Sequence, residues 1–359
     1  WGLVVVALLI RSYGMSHDLD LGRIYHPDTP KQIRAAQRFE RGVFFSQLGE
    51  DYDGYPLFTS LMAAGVHRVV MATTAAVKTQ VGLHAVQEDP DELIVLEWIM
   101  RIMNAVLSSL AVWVMFCLAR RVVGPRMGLV AAALFCLSPL DVAACHHASG
   151  DSAAAFFALV SLLFSVRIYQ RGAASDYVVA AVACMCSFAA KYHGAMTAFS
   201  LIAAHILRAQ SFKELFGLAS IRRALLVLAT VVIVFFLANP ATLVRTSEAI
   251  QQILDFVSNA SRGGVMGVGE STPRVVAWAL RVRANLPVFA EFMTPLMLVL
   301  SLVGIGVAFF TDKSRRVVAV LPVVYLLFGL SNKTAENAVY STVVTPSLFL
   351  MGVVLISEL

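Results

Sequence analysis

Charges cut this chain into long apolar runs, and those runs limit its fold more than any other feature. Residues 102–119 (IMNAVLSSLAVWVMFCLA) carry no charge between Arg101 and the Arg120-Arg121 pair. Further runs occupy 127–140, 152–166, 177–190, 192–207, 224–238, 292–311, 317–332 and 337–357, and residues 1–10 read as the tail of one more. A helix needs about 20 residues to cross the hydrocarbon core, and about 17 at the short end. Several runs reach that length only by drawing their terminal charged residues into the interface. In lipid only helices and closed barrels satisfy the backbone. The runs lack a barrel's alternation, so the chain reads as an all-α, polytopic transmembrane helical protein with about ten spans.

Composition agrees. Only 14% of the residues are charged and 58% are hydrophobic, against roughly 25% charged in a soluble domain. That excludes a disordered chain, a nucleic-acid-binding module and a secreted disulfide scaffold. The net charge of +5 reports basic loops, not an anionic partner.

Lys and Arg in the short connections set the orientation. With Arg120, Arg121 and Arg126 cytoplasmic, counting spans places Arg167, Arg171, Arg208, Lys213, Arg222, Arg223, Lys313, Arg315 and Arg316 on the same side. The layout is then the end of a first transmembrane helix (1–13), an outer loop (14–92) and transmembrane helices two to seven (93–238). A second outer loop (239–287) and C-terminal transmembrane helices (288–359) complete it. The chain begins at Trp1 without an initiator Met or a signal-peptide n-region, so the first helix reads as truncated. Cys117, Cys136, Cys145, Cys184 and Cys186 all fall in or at the ends of spans, where they read as core residues and not as a zinc or disulfide set.

Long ordered loops in compact proteins are usually functional. The loop 14–92 contains HPDTP (His26–Pro30), the polar helical stretch KQIRAAQRFERG, then GEDYDGYPLF with Tyr55. The apolar segment 57–77 that follows carries His67-Arg68 at its middle, which suits an interfacial helix better than a span. Asp28 lies between two prolines just beyond the membrane boundary. A rigidly held carboxylate there can take a proton from an acceptor hydroxyl; Pro-Asp-Thr-Pro is equally good turn chemistry. At the outer helix ends stand Arg101, Asp151, Lys191, Arg245 and Lys333. Ionisable residues at membrane depth tend to mark function, although Arg and Lys at helix ends also snorkel. As a set, four cations opposite the basic loops can clamp a phosphate while Asp28 works on a nucleophile.

The order of these features resembles the GT-C superfamily of membrane glycosyltransferases, in the branch of protein O-mannosyltransferases and lipid A aminoarabinose transferases. YHPDTP (Tyr25–Pro30) resembles its catalytic-loop signature, and GYPLFTSLMAAGVHRVV its interfacial helix. Arg101–Gly124 is similar to the Arg-led second span with a basic turn. GLVAAALFCLSPLDVAACHHASGDSAAAFFALVSLLF is similar to the third and fourth spans, and FAAKYHG to the end of the fifth.

The resemblance implies inverting transfer of a sugar from a polyprenyl-phosphate donor to an acceptor hydroxyl of a protein, lipid or glycan. The reaction would sit on the lumenal or periplasmic face of an endoplasmic reticulum or bacterial inner membrane. It implies Asp28 as general base and Arg101 and Lys191 as phosphate ligands. His26, Tyr55, His147, Asp151, Tyr192, Arg245 and Lys333 are the further substrate-binding candidates. Many relatives have Asp-Glu where this chain has Asp28-Thr29, so no cofactor is assigned and a divalent cation stays open. His147 and Asp151, spaced i, i+4, fit a metal pair or a polar lining. The Gly-rich SRGGVMGVGEST (Ser261–Thr272) follows no strand and reads as a flap, not a phosphate cradle. The rival reading is a catalytically degenerate structural subunit of a larger membrane complex. A secondary transporter, which would show matching broken helices, ranks behind both.

Overall fold

A computed structural model of the chain describes residues 1–16, 29–40, 58–81, 92–238, 293–328 and 342–359, with isolated positions between 247 and 290. Every regular element among them is helical. In chain order these are α1 (Gly2–Ser12), α2 (Thr29–Glu40), α3 (Phe58–Val81), α4 (Glu92–Val122), α5 (Pro125–Cys136), α6 (Pro139–Cys145) and α7 (Asp151–Gln170). Then follow α8 (Ala174–Ala190), a 3-10 turn (Tyr192–Met196), α9 (Thr197–Arg208), α10 (Phe212–Leu215), α11 (Leu218–Ala238), α12 (Pro295–Phe310), α13 (Lys313–Phe328) and α14 (Thr345–Glu358).

Within the described residues each apolar run read from the sequence falls on a helix, but not each is a full span. By length and composition α4 from Ile94, α7 and α11 can cross a membrane, and α5 with α6 make a fourth bent by 53°. Among the described residues that gives three or four spans, short of the ten runs. The run 127–140 is broken at Ser138-Pro139. A proline disfavours helix at the residue before it, and Ser138 is extended and caps α6 through its side chain. The run 192–207 is helical only from Thr197, because the 3-10 turn occupies its start.

The main core is built by α4, α5, α7, α8, α9, α12, α13 and α14, around Met115, Leu118, Phe135, Leu159, Leu162, Tyr177, Leu321 and Leu350. Helices α7 and α8 form an antiparallel hairpin. Gly172 turns it with φ 65°, and the Arg167–Asp176 ion pair at 2.8 Å ties its base. Where α12 passes α14, a Cβ at Gly304 would overlap the Met351 carbonyl, and Ala308 continues the small face one turn on. Small residues let helix backbones approach closely in an apolar medium.

A second, smaller cluster stands at the start of α4. Ile33, Ala36 and Phe39 of α2, Ala63 and Ala64 of α3, and Leu96 and Met100 of α4 bury one another together with Ala148. Length explains its place. The 31 residues of α4 extend about 46 Å against a hydrocarbon core of about 30 Å, so its first turns have room to carry α2 and α3 beyond the bundle. The polar stretch KQIRAAQRFE is helical as expected, and Arg68 of α3 donates to the Phe39 carbonyl at 3.0 Å.

Helix α1 is fixed by Arg11, which is wholly buried. It donates to Ser108 Oγ at 2.7 Å and to the Cys136 carbonyl at 3.1 Å. All five cysteines are free, four of them buried. Replacing Gly304 by Val is expected to lower the stability of the detergent-solubilised protein by about 1–3 kcal/mol, read as a fall in Tm, because the α12–α14 spacing leaves no room for a side chain.

Candidate functional site

At the end of the bundle where α4 and α7 begin, the turn 146–150 joins α6 to α7. Two carbonyls of that turn, His147 at 2.8 Å and Ser149 at 2.9 Å, accept from the amide of Asn104 on α4. His146 Nε2 lies 2.9 Å from the Arg11 carbonyl. Burial, joined by the nearby Arg101 and Arg11 charges, holds this imidazole below its ordinary pKa. The Arg11 carbonyl can only accept, so Nε2 carries the proton of this hydrogen bond.

Gly150 then brings α7 against the end of α8. A Cβ there would overlap the Ala190 carbonyl oxygen and stand 3.2 Å from Thr59 Oγ1 of α3. No side chain larger than hydrogen permits this approach. Its result is that Asp151, opening α7, meets Lys191, which leaves α8 in an extended conformation. Lys191 Nζ donates to Asp151 Oδ1 at 2.6 Å, with the side chains 5% and 0% exposed. A second close approach holds the far side of the lysine. Gly194 presses on Ser187 with no room for a Cβ, and its N–H bonds the Lys191 carbonyl at 2.9 Å. Tyr192 follows, with its ring 5.5 Å from that of Phe188.

Arg101 lies one helical turn before Asn104 on the same helix. Its guanidinium pairs with Glu97 Oε1 at 2.6 Å, in i, i+4 register, and donates to the Met15 carbonyl at 2.8 Å. It thus ties the exit of α1 to α4. Of the candidates read from the sequence, Arg101, His147, Asp151, Lys191 and Tyr192 are gathered at this end. His26, Asp28, Tyr55, Arg245 and Lys333 lie outside the described residues, as does the Gly-rich stretch 261–272. Thr29, which follows Asp28 in sequence, opens α2, and Gln32 of that helix accepts a hydrogen bond from Ser60 of α3.

Sequence reasoning missed four residues that shape the site: Arg11, Glu97, Asn104 and Gly150. Glu97 and Arg101 are an i, i+4 pair, and Asn104 is an amide inside an apolar run, so both carried a local signal. Gly150 carried none, because its role depends on a residue 40 positions away. Among the described residues no group of three or more His, Cys, Asp or Glu side chains is gathered for a metal.

Breaking a buried ion pair by removing one partner costs about 3–5 kcal/mol, whereas an apolar replacement of both is often neutral. Lys191→Met is therefore expected to destabilise the protein by about that amount, and Asp151→Leu added to it to recover most of the loss. Thermal unfolding of the two variants in detergent checks the pair.

Comparison with known proteins completes the picture. Residues 93–238, from α4 to the end of α11, match the family described as dolichyl-phosphate-mannose-protein mannosyltransferase. The fold is similar to that of ArnT from Cupriavidus metallidurans bound to undecaprenyl phosphate. The TM-score is 0.66 at 17% identity, covering 99% of this chain and 60% of that one. It is also similar to the Archaeoglobus fulgidus oligosaccharyltransferase solved with Zn and sulfate, with a TM-score of 0.53 at 14% identity over 98% of this chain and 48% of that one. The archaeal oligosaccharyltransferase AglB from the same organism, in complex with an inhibitory peptide and a dolichol-phosphate, gives 0.53 at 13% identity, covering 98% and 49%. No curated protein matches the chain in sequence. The chain spans three fifths or less of the length of these solved structures. The matched segment is less than half of the chain, and over nearly its whole length the chain shares the fold of these solved structures.

Proposed function

We propose that the protein transfers a sugar from a polyprenyl-phosphate donor to an acceptor hydroxyl, and that the Lys191 end of the bundle holds the lipid phosphate. The observation that carries this reading is the buried Lys191–Asp151 pair at 2.6 Å. It holds the Lys191 side chain oriented at the end of the bundle. The likeness to ArnT with undecaprenyl phosphate and to AglB with a dolichol-phosphate supports a donor of this class.

In the proposed reaction the acceptor oxygen attacks the anomeric carbon and the bond from that carbon to the phosphate oxygen breaks. The phosphate leaves with the bonding pair, and the hydroxyl proton passes to Asp28. One in-line displacement inverts the anomeric carbon. Negative charge grows on the leaving phosphate, and a fixed cation in a partly dry site stabilises it more than water would. Lys191 is assigned to that charge. Arg101 joins it as a second cation, and the polar turn with His147, together with Tyr192, lines the approach. His26, Tyr55, Arg245 and Lys333 are assigned to the same site from their order in the sequence. The site faces the lumen or periplasm, opposite the arginine-rich end, because the short basic connections mark the cytoplasmic side. The acceptor is a protein, lipid or glycan.

Replacing Asp28 by Asn is expected to abolish transfer while leaving the affinity for undecaprenyl phosphate within about twofold. Lys191→Gln should instead weaken that affinity about tenfold or more, the order of a hydrogen bond to a charged group. Both are measured in proteoliposomes supplied with radiolabelled polyprenyl-phosphate sugars. Wild-type turnover retained by Asp28→Asn contradicts the base assignment. Failure of the wild-type protein to bind the lipid phosphate favours the structural-subunit reading.

A further inference from the structure

We propose that the turn joining α9 to α11 is a docking surface for the anionic headgroup layer of the cytoplasmic leaflet. Phe212 and Phe216 sit among the headgroups, and Lys213 and Arg222 reach lipid phosphates. This rests on the short basic connections being cytoplasmic and not on the transferase reading.

Two aromatic rings stand open to the outside here. Phe212 is 79% exposed and Phe216 61%, and their ring centroids lie 4.7 Å apart. Exposed apolar surface rimmed by polar residues marks an interaction site.

A fixed turn presents these rings. Ser211 Oγ accepts from the Glu214 N–H at 3.2 Å, and Glu214 Oε2 accepts from the Gln210 N–H at 2.9 Å, close to a reciprocal capping box. Both ends of the turn are tied to the bundle. Arg208, closing α9, donates to the Tyr169 carbonyl at 3.2 Å. In the first turn of α11 the Ser220 hydroxyl lies 2.7 Å from His205 Nε2, and His205 Nδ1 is 2.8 Å from the Tyr177 hydroxyl. The Tyr169 contact places the turn where α7 ends and α8 begins, at the opposite end of α8 from Lys191.

What covers the rings follows from α11. Ser220 and Ala238 are its buried residues. Leu218, Ile221, Leu225, Leu228 and Val232 are exposed at helical spacing, and the helix is long and apolar enough to cross a membrane. In a bilayer that stripe meets lipid tails. It begins two residues after Phe216, so the rings stand where the stripe ends, at headgroup level. On such a boundary apolar side chains sink into the interface while basic ones reach outward. Lys213 and Arg222 are exposed, whereas Arg223 is turned inward, its guanidinium 5.8 Å from the Tyr177 ring. Within 210–222 these two cations face one carboxylate, Glu214, which leaves one net positive charge. That sign suits the anionic cytoplasmic leaflet.

Photo-crosslinking tests the surface. Phe212, Phe216 and, as a reference in the spanning stripe, Leu228 are replaced one at a time by p-benzoylphenylalanine in the full-length protein. Each variant is irradiated in its host membrane and in nanodiscs of mixed phosphatidylcholine and phosphatidylglycerol, and the adducts are weighed. All three positions are expected to give phospholipid adducts. At Phe212 and Phe216 phosphatidylglycerol should be enriched about fivefold over its share of the mixture, the order expected for one net basic charge at an anionic surface. Lys213→Gln/Arg222→Gln should return the adducts to the bulk ratio without abolishing them. Adducts at the bulk ratio before that change overturn the preference for anionic headgroups. Protein adducts at Phe212 and Phe216, or none, with lipid adducts at Leu228, overturn the lipid surface. Absence of lipid adducts at Leu228 as well overturns the placement of α11 in lipid, and the surface with it.

Discussion

The meeting of α7 and α8 depends on an absent side chain. At Gly150 the backbone of one helix touches the Ala190 carbonyl of the other, and that contact brings a carboxylate and an ammonium together in an apolar bundle. Neither charge is affordable there alone, since an isolated buried ion costs several kcal/mol after relaxation. With the pair formed at 2.6 Å, the bundle holds a fixed cation where α8 ends. The Asn104 amide and the small cluster of α2, α3 and the first turns of α4 then build outward from this junction.

Length is the second constraint. Helix α4 is longer than the apolar layer it crosses, and its surplus turns carry α2 and α3. Arg101 sits where the surplus begins, held by Glu97 and the Met15 carbonyl. The opposite end of the bundle is arginine-rich, with Arg121 reaching Gln170 and Arg167 paired to Asp176. The two ends differ in kind. At the arginine-rich end Arg167 and Arg208 are bonded at the α7–α8 turn, and at the other end Lys191 and Arg101 are buried and ion-paired.

Much of this architecture was legible because charge is scarce in the chain. The helical class, the polar helix before α3, and Asp151 and Lys191 as notable helix ends all follow from reading where charges interrupt apolar runs. The pairing of those two residues did not follow, because it depends on a close backbone contact and not on a local pattern. The break at Ser138-Pro139 lies inside the uncharged run, just before Asp141, and only the proline marks it. Arg11 looked like the boundary of an apolar tail, yet it is wholly buried and anchors α1 through Ser108 and Cys136. Asp28, His26 and Tyr55 stand outside the described part of the fold, so their roles rest on order along the chain.

The central claim is that lipid phosphate binds at the Lys191 end. An electron cryomicroscopy map of the full-length protein saturated with undecaprenyl phosphate tests it most directly. Phosphate density is expected within hydrogen-bond reach of Lys191, about 2.7–3.2 Å from Nζ, with the polyprenyl tail running along the bundle. Phosphate density at the arginine-rich end, beside Arg121, Arg167 or Arg208, would contradict it.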